Sequence, residues 1–360
     1  MQETQSAQQI TGLLLGTAVG DAIGLAREGL APKRASRLFG NQIQHSLIVT
    51  PWGRAGLCSD DTEHAVMVAQ SLLSGHQNAD DFSRQLASRL RRWFLTLPAG
   101  LGMATLKACS KLCLGISPAK SGIRSAGNGA AMRAPVIGWF FADNPATMRE
   151  IVRAATIITH TDPRAEEGAW VIAMAARQAS RQQPPAPIDS FFADIMPSLN
   201  GRQLISQLQL AQQKLQQQAE LSDYLQALQL EKKGITGYIN NTVPAVIYAW
   251  LRYYGSYEQT ISALIHAGGD TDTTAAIAGA LAGIQLGEAG IPAQWLAGVK
   301  EWPMSIDYLR KLSSALATRK HHPEQTITLR QPGYLPILGR NLLFFCIIML
   351  HGFRRLLPPY

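Results

Sequence analysis

The sequence has only four cysteines in 360 residues, little charge at 16% Asp, Glu, Lys and Arg, and no run of alternating strand-type residues. Each scarcity excludes something. Cys58 stands alone, and Cys109 and Cys113 sit one helical turn apart, so no disulfide framework is expected and the interior reads as reduced and cytoplasmic. The opening MQETQSAQQI lacks both the basic region and the apolar stretch of a secretory signal. Without alternating runs the fold is expected to be almost wholly α-helical. A chain of this length that is 46% hydrophobic buries a large core, which excludes disorder over most of it.

The scarce charge is also unevenly placed. Of the net +8, residues 306–360 supply +6, from eight Lys or Arg against two Asp or Glu. The rest is close to neutral and shows no motif that reads base edges, which argues against a general nucleic-acid role. Within the basic stretch, LLFFCIIML (Leu342 to Leu350) is flanked by Arg340, Arg354 and Arg355. Nine apolar residues fall short of the roughly twenty that cross a bilayer. The expectation is a short helix that docks on the protein's own body, on a second subunit or on a membrane surface, the last making the protein peripheral to a membrane.

The chain does have two acidic clusters. One opens HAGGDTDTTAAIAGALAG, where Gly268 and Gly269 allow a tight turn, Asp270, Thr271, Asp272 and Thr273 follow, and a small-residue helix begins. The other is CSDDTEHAVMVAQSLL, where Asp60 and Asp61 lead into an apolar helix. Helix capping alone accounts for one carboxylate at each place. Two carboxylates one residue apart repel unless a cation or proton lies between them, and two such pairs together favour a metal site. Oxygen donors with no His or Cys at ligand spacing suit Mg²⁺ or Mn²⁺ rather than zinc. An EF-hand is excluded, because Ala275 and Leu281 occupy its Gly and closing Glu positions.

The remaining pattern is helical. In ITGLLLGTAVGDAIGLA (Ile10 to Ala26), Gly12, Gly16, Gly20 and Gly24 recur every four residues. Each glycine costs a helix about 1 kcal/mol against alanine, so the stripe implies a second helix packed closely on it. Asp21 in that helix is either a satisfied buried polar residue or a support for the metal site, and Glu28 follows the helix end. Leu30 to Trp52 reads as irregular. Helices are expected over Thr62–Leu73, Asp81–Phe94 with Phe82, Leu86, Leu90 and Trp93 inward, Thr147–Ile158, Arg164–Ala179, Thr242–Tyr253 and Tyr257–Ile265. Leu204–Leu228 reads as one long surface helix and residues 182–187 as a linker. The glycine-flanked Asn128 can bring backbone close to a ligand, while His160, in the turn THTDP, fits an ordinary loop residue at least as well.

Taken together, the motifs resemble those of the ADP-ribosylglycohydrolases, including the hydrolases that remove ADP-ribose from dinitrogenase reductase. GLLLGTAVGDAIG followed by Glu28, SDDTE, GNGAAMRAP, THTDP and HAGGDTDTTAAIAGALAG with IPAQW after it occur in the family's order, from Ile10 to Pro303. The resemblance implies a compact, orthogonal all-α domain over residues 1–305, with a binuclear Mg²⁺ centre (Mn²⁺ the alternative) at the base of an ADP-ribose cleft, and a basic, apolar tail over 306–360. It implies metal ligands at Ser59, Asp60, Asp61, Asp270, Asp272 and Thr273. Glu28, Asp60 and Asp61 become the candidate catalytic carboxylates. Gly127, Asn128, Gly129, Met132, Arg133 and His160 would line the substrate pocket. The implied activity is Mg²⁺-dependent cleavage of the bond joining ADP-ribose to a protein side chain. Alternatives are hydrolysis of a small ADP-ribose conjugate, or a non-catalytic binding or structural role, which retention of all four aspartates disfavours. Two departures stand out: Ser59 replaces the usual Thr, and Gly100 occupies a place where some members acting on ADP-ribosyl-arginine have Asp, which puts arginine specificity in doubt.

Overall fold

The computed structural model describes residues 2–74, 78–181, 186, 188–325 and 327–356. All but residue 186 of the expected linker at 182–187 lies outside the described residues. The chain runs through α1 (Gln2–Gly24), α2 (Pro32–Phe39), a hairpin of β1 (Ile48–Thr50) and β2 (Gly53–Ala55), α3 (Asp60–Ser74), α4 (Ala79–Phe94), α5 (Met103–Cys113), α6 (Pro118–Ser121), α7 (Ala134–Phe140) and α8 (Pro145–Ile157). It continues through α9 (Pro163–Arg181), α10 (Ile188–Ile195), α11 (Arg202–Gln216), α12 (Leu221–Ala227), α13 (Ile239–Arg252), α14 (Tyr257–Ala267), α15 (Thr271–Leu286), α16 (Ala293–Gly298), α17 (Ile306–His321) and α18 (Tyr334–Arg355). Strand is confined, among the described residues, to the antiparallel hairpin that pairs Ile48 with Ala55.

At the centre α1 and α15 run antiparallel with their backbones in contact. A β-carbon added to Gly12, Gly16, Gly20 or Gly24 would overlap the carbonyl oxygen of Gly283, Gly279, Ala275 or Thr271 respectively. The stripe's partner is therefore the helix of the second acidic cluster. The other faces of both helices are buried, with Leu13, Leu15, Ala18, Val19, Ile277 and Leu281 almost fully enclosed. Polar side chains start the outer helices: Asn78 accepts from Asp81 N at 2.9 Å for α4, and Asn144 from Thr147 N at 3.1 Å for α8.

Four expectations need correction. Helix α1 starts at Gln2 rather than Ile10, since its polar first turns lean on α17, where His321 Nε2 lies 2.9 Å from the Ser6 hydroxyl. The stretch Leu30–Trp52 is not irregular throughout, because Pro32 opens α2 at the first helical turn, where its missing N–H costs nothing. Leu204–Leu228 is two helices and not one. The break is held from α13, whose Tyr248 hydroxyl and Arg252 Nε donate to the Ala219 carbonyl at 2.6 and 3.0 Å, with Gln218 at φ +55°. Finally, the expected nine-residue apolar helix is part of the 22-residue α18, whose Pro336 lies in the first turn.

Gly16→Ala tests the central contact. An isolated helix would gain about 1 kcal/mol from this change. Overlap with Gly279 should reverse the sign and cost about 3 kcal/mol, read as a fall in the urea midpoint; a neutral or stabilising result would mean that the two backbones are not in contact.

Candidate active site

The packing of α1 on α15 sets where the acidic clusters stand. Asp21, one residue past Gly20, is fully buried, and its carboxylate accepts from Ser59 N at 2.9 and 3.0 Å, from Thr62 N at 3.1 Å and from the Thr62 hydroxyl at 2.5 Å. It thus caps the start of α3 from a neighbouring helix, satisfying N–H groups that have no partner in the helix itself. The two readings of Asp21 converge: it is a satisfied buried residue, and it holds the first acidic cluster in place. Burial, opposed by these hydrogen bonds, pushes its carboxyl up to about 6.

From α15, Thr273 donates its hydroxyl to Asp61 Oδ2 at 3.0 Å, and the Ser59 hydroxyl donates to the same oxygen at 3.2 Å. The two clusters, 212 residues apart in sequence, meet at this atom. Gly268 and Gly269, at φ +68° and +84°, turn the chain into α15, where a side chain at either would strike Leu30 or Ile235 backbone. Gly29 N donates to Gly269 O at 2.7 Å and Gly269 N to Leu30 O at 2.8 Å, which draws Glu28 alongside Asp270 and Asp272. Asn128 donates to Asp270 Oδ2 at 2.6 Å and to the Thr242 hydroxyl at 3.0 Å, fastening the glycine-rich loop to the same edge.

These residues surround a cleft of about 560 Å³, within the usual range for small-molecule sites. Glu28, Asp60, Asp270, Asp272 and Thr273 line it, with Gly127, Asn128, Gly129, Met132 and His160 on another wall. Of the expected site residues, Ser59 and Asp61 lie beneath this surface, buried. Arg133 does not reach the cleft: it is fully buried behind the loop, and its Nη2 donates to the Thr159 hydroxyl at 2.5 Å. That hydroxyl also meets His160 Nδ1 at 2.8 Å, and burial, with the Arg133 charge, pushes the imidazole down to about 3. His160 is thus a neutral wall against which Gly127 and Gly129 pass. A larger hollow of about 930 Å³ beside the first turns of α1 has Glu288 as its one carboxylate, so the chemistry belongs to the smaller cleft.

Sequence reading passed over the segment Lys233–Gly237, which adds Lys233, Ile235, Thr236 and Gly237 to the lining. Its signal was a Lys-Gly pair ahead of α13, with Gly234 at φ +87° against Gly268 and Gly269. It also missed a buried ion pair beneath the first cluster. Arg340 of α18 donates to both Glu301 oxygens at 2.9 and 2.8 Å and to the Cys58 carbonyl, while Cys58 N donates to Glu301 Oε2 at 2.8 Å.

The cleft is electrostatically unbalanced in a way that a cation would correct. Burial first, then neighbouring carboxylates, hold Asp60, Asp61 and Asp272 well above the usual carboxylate range. Glu28, although its side chain meets solvent at the cleft mouth, is pushed up to about 7 by partial desolvation and then by Asp270. Asp61 Oδ1 and Asp272 Oδ1 are buried with no hydrogen-bond partner. An orphaned buried carboxylate oxygen is costly unless something positive meets it. Among the described residues no three His, Cys, Asp or Glu side chains form a metal cluster by themselves.

The chain is similar in sequence and in fold to known proteins. A sequence profile described as ADP-ribosylglycohydrolase matches residues 2–326. An uncharacterized protein of Archaeoglobus fulgidus is 30% identical over 314 residues, covering 86% of this chain and 96% of that protein. The ADP-ribosylhydrolase ARH3 of Xenopus tropicalis is 27% identical, covering 86% and 95%, and the ADP-ribosyl-dinitrogen reductase glycohydrolase of Rhodospirillum rubrum 25% identical, covering 79% and 88%. A solved structure titled ADP-ribosylglycohydrolase-related protein complex shares the fold at a TM-score of 0.68 and 24% identity, covering 88% of this chain and 99% of that one.

The raised carboxyls give a sign for stability against pH. In an unfolded chain these groups titrate near 4, whereas Asp21 and Glu28 titrate at about 6 and about 7 in the fold. The folded protein therefore binds more protons, and in EDTA their contribution should be complete below about pH 4 and fade as pH rises through 6 to 7. Mg²⁺ should raise the melting temperature more at about pH 8 than at about pH 5, by binding the native state alone. A melting temperature that climbs with pH in EDTA over this window, or is unmoved by Mg²⁺ and Mn²⁺ at both, would contradict the assignment.

Proposed function

We propose that this chain, which belongs to the ADP-ribosylglycohydrolase family, hydrolyses the glycosidic bond between ADP-ribose and an acceptor group, with divalent cations held between its two acidic clusters. The observation that carries this reading is the meeting of α3 and α15 at Asp61, with two orphaned carboxylate oxygens beside a cleft of ligand size. Ser59, Asp60, Asp61, Asp270, Asp272 and Thr273 are the oxygen donors that would hold two Mg²⁺ or Mn²⁺ ions. When bound, the ions supply Lewis acidity toward the ribose hydroxyls and offset the carboxylate charge.

The chain's own groups account for the rest. Water adds at the anomeric carbon as the bond to the acceptor breaks, giving free ADP-ribose and the protonated acceptor, and positive charge builds on the sugar in between. Asp60 and Asp272 face the cleft and oppose that charge. Glu28, at the mouth beside Asp270 and Asp272, is placed to take the proton from the attacking water as general base. Asp61 is engaged by two hydroxyls beneath the surface, so it orients rather than exchanges protons. The loop Gly127–Gly129, Met132 and the neutral His160 form a wall for the nucleotide half, and Lys233 brings a cation suited to its pyrophosphate.

The lining at Gly100 supports a reading of the acceptor. Gly100 lines the cleft at φ +83° with open space where a β-carbon would stand. No carboxylate faces a guanidinium leaving group from that position, which favours an O-linked acceptor such as serine over arginine.

Purified chain with Mg²⁺, given serine-linked and arginine-linked ADP-ribosyl peptides separately, should release free ADP-ribose from the serine conjugate at the higher rate, measured by chromatography. Asp272→Ala should lower kcat by roughly 10³-fold, the several kcal/mol a metal site supplies, with the far-ultraviolet circular dichroism unchanged. Gly100→Asp should raise the arginine-to-serine rate ratio about tenfold, from one hydrogen bond to a charged group. Full activity in Asp272→Ala, or in EDTA, would defeat the metal reading.

A further inference from the structure

Helix α18 lies across the first-cluster side of the protein with two unlike faces. Its inner face is tied down at intervals: Arg340 to Glu301, Asn341 Nδ2 to Thr96 O at 2.9 Å, Phe344 buried, His351 Nε2 to Ala26 O at 2.8 Å, and Arg355 Nη2 to Glu28 O at 2.7 Å. Its outer face, from Leu335 to Phe353, is exposed and apolar, with Leu342, Leu343, Phe345 and Leu350 all more than half exposed. Apart from the Cys346 thiol, no polar side chain stands among the exposed residues of that span. This face is about 27 Å long at 1.5 Å per residue, far longer than a scattered surface leucine accounts for.

We propose that the outer face of α18 rests in the interface of an anionic lipid bilayer, with the helix lying in the membrane plane. Three observations favour lipid over a protein partner. First, protein interfaces carry about one hydrogen bond per 100–200 Å² to set their register, and this face offers almost no donor or acceptor with which to make one. Second, aromatic rings with a polar edge flank the helix, as they do at headgroup level. Trp302, 46% exposed, stands beside Gly339, and Tyr334, 49% exposed, donates to Leu95 O at 2.8 Å, next to the exposed Leu95 and Leu97. The hairpin whose Ile48 packs on the small apolar cluster that includes Phe344 carries Trp52, 91% exposed, at its turn. Third, α18 carries no Asp or Glu, and Arg354 is exposed at its end and Arg330 just ahead of its start, matching anionic headgroups.

The helix is long and apolar enough to cross a bilayer, with a mean hydropathy of 1.6 over its best window. The inner face argues for the in-plane arrangement, since crossing would pull Arg340 from Glu301 and leave buried carboxylates without a counter-charge. Placing α18 in the interface brings lipid to the edges of the cleft, because Arg355 holds Glu28 and Ala99, next to Gly100, packs near Phe344. The proposal does not depend on what the cleft hydrolyses.

The full chain should float with vesicles of phosphatidylcholine containing phosphatidylglycerol. Binding should fall at least about tenfold with neutral phosphatidylcholine alone or in about 0.5 M salt, where headgroup attraction is screened. The triple variant Leu342→Gln, Phe345→Gln, Leu350→Gln alters exposed positions only; it should keep the parent melting temperature and lose vesicle binding. Three results would overturn the proposal: a triple variant that binds as well as the parent, a chain that ignores vesicles while sedimenting as a dimer that the variant abolishes, or a chain that resists alkaline extraction from cell membranes as a spanning protein does.

Discussion

The contact on which the site depends is backbone against backbone, between the glycine stripe of α1 and the small residues of α15. Four glycines that weaken α1 as an isolated helix by about 1 kcal/mol each let it approach α15 until the carbonyls of one face the Cα atoms of the other. The consequence is positional. Gly20 precedes Asp21, and Gly24 abuts Thr271, so the close approach sets both the carboxylate that caps α3 and the start of the α15 cluster. The Thr271 hydroxyl donates to Gly24 O at 2.8 Å and secures the crossing. Larger residues on the stripe would force the helices apart and separate the acidic clusters before any ligand residue was altered.

That arrangement concentrates like charge where the fold can least offset it. Asp60 feels Asp21 and Glu28, Asp61 feels Asp60 and Asp21, and Asp272 feels Glu28 and Asp61, while burial dominates the shift of each of these and of Asp21. Hydrogen bonds relieve part of this: Asp21 receives four, Asp61 Oδ2 two hydroxyls. Asp61 Oδ1 and Asp272 Oδ1 receive none. A structural cap would leave no such remainder, since a cap is stable because its oxygens are satisfied. The proposed cations would meet these two oxygens, which helix capping leaves unaccounted for.

The glycine stripe, the acidic pairs and the glycine-flanked Asn128 were legible in the sequence because each departs from what a helix or loop needs for its own stability. Their meeting place was implied by the stripe, which required a close partner without naming it. Other features left no local trace. The break at Gln217–Glu220 carries neither glycine nor proline, and comes instead from Tyr248 and Arg252 on α13 claiming the Ala219 carbonyl. Arg133 was misplaced because a loop position next to glycines suggests exposure, whereas its side chain turns inward to Thr159. The length of α18 was hidden by Gly339, Arg340 and Asn341, which interrupt the apolar run, although Arg340 and Asn341 face the body, where Glu301 and Thr96 satisfy them.

Helix α18 begins beyond residue 326, where the family match ends, yet it is built into the ground on which the family's chemistry stands. Arg340 and Glu301 form a closed pair, each about 4% exposed or less, and both bond the backbone of Cys58, the residue before Ser59. Arg340 also lies 3.6 Å from Glu63, three residues along α3 from Asp60, and so places a positive charge beneath a crowd of carboxylates. At the other end Arg355 holds the Glu28 carbonyl. One helix therefore braces both the loop that delivers the first cluster and the segment that delivers the candidate base, while its opposite face carries no polar partner. The outer face is joined to the site by two short, charge-assisted links, of which the buried Arg340–Glu301 pair is the stiffer, because breaking it leaves a buried charge unpaired. The segment least like the rest of the chain in composition is thus bonded to the segments that carry the candidate site residues.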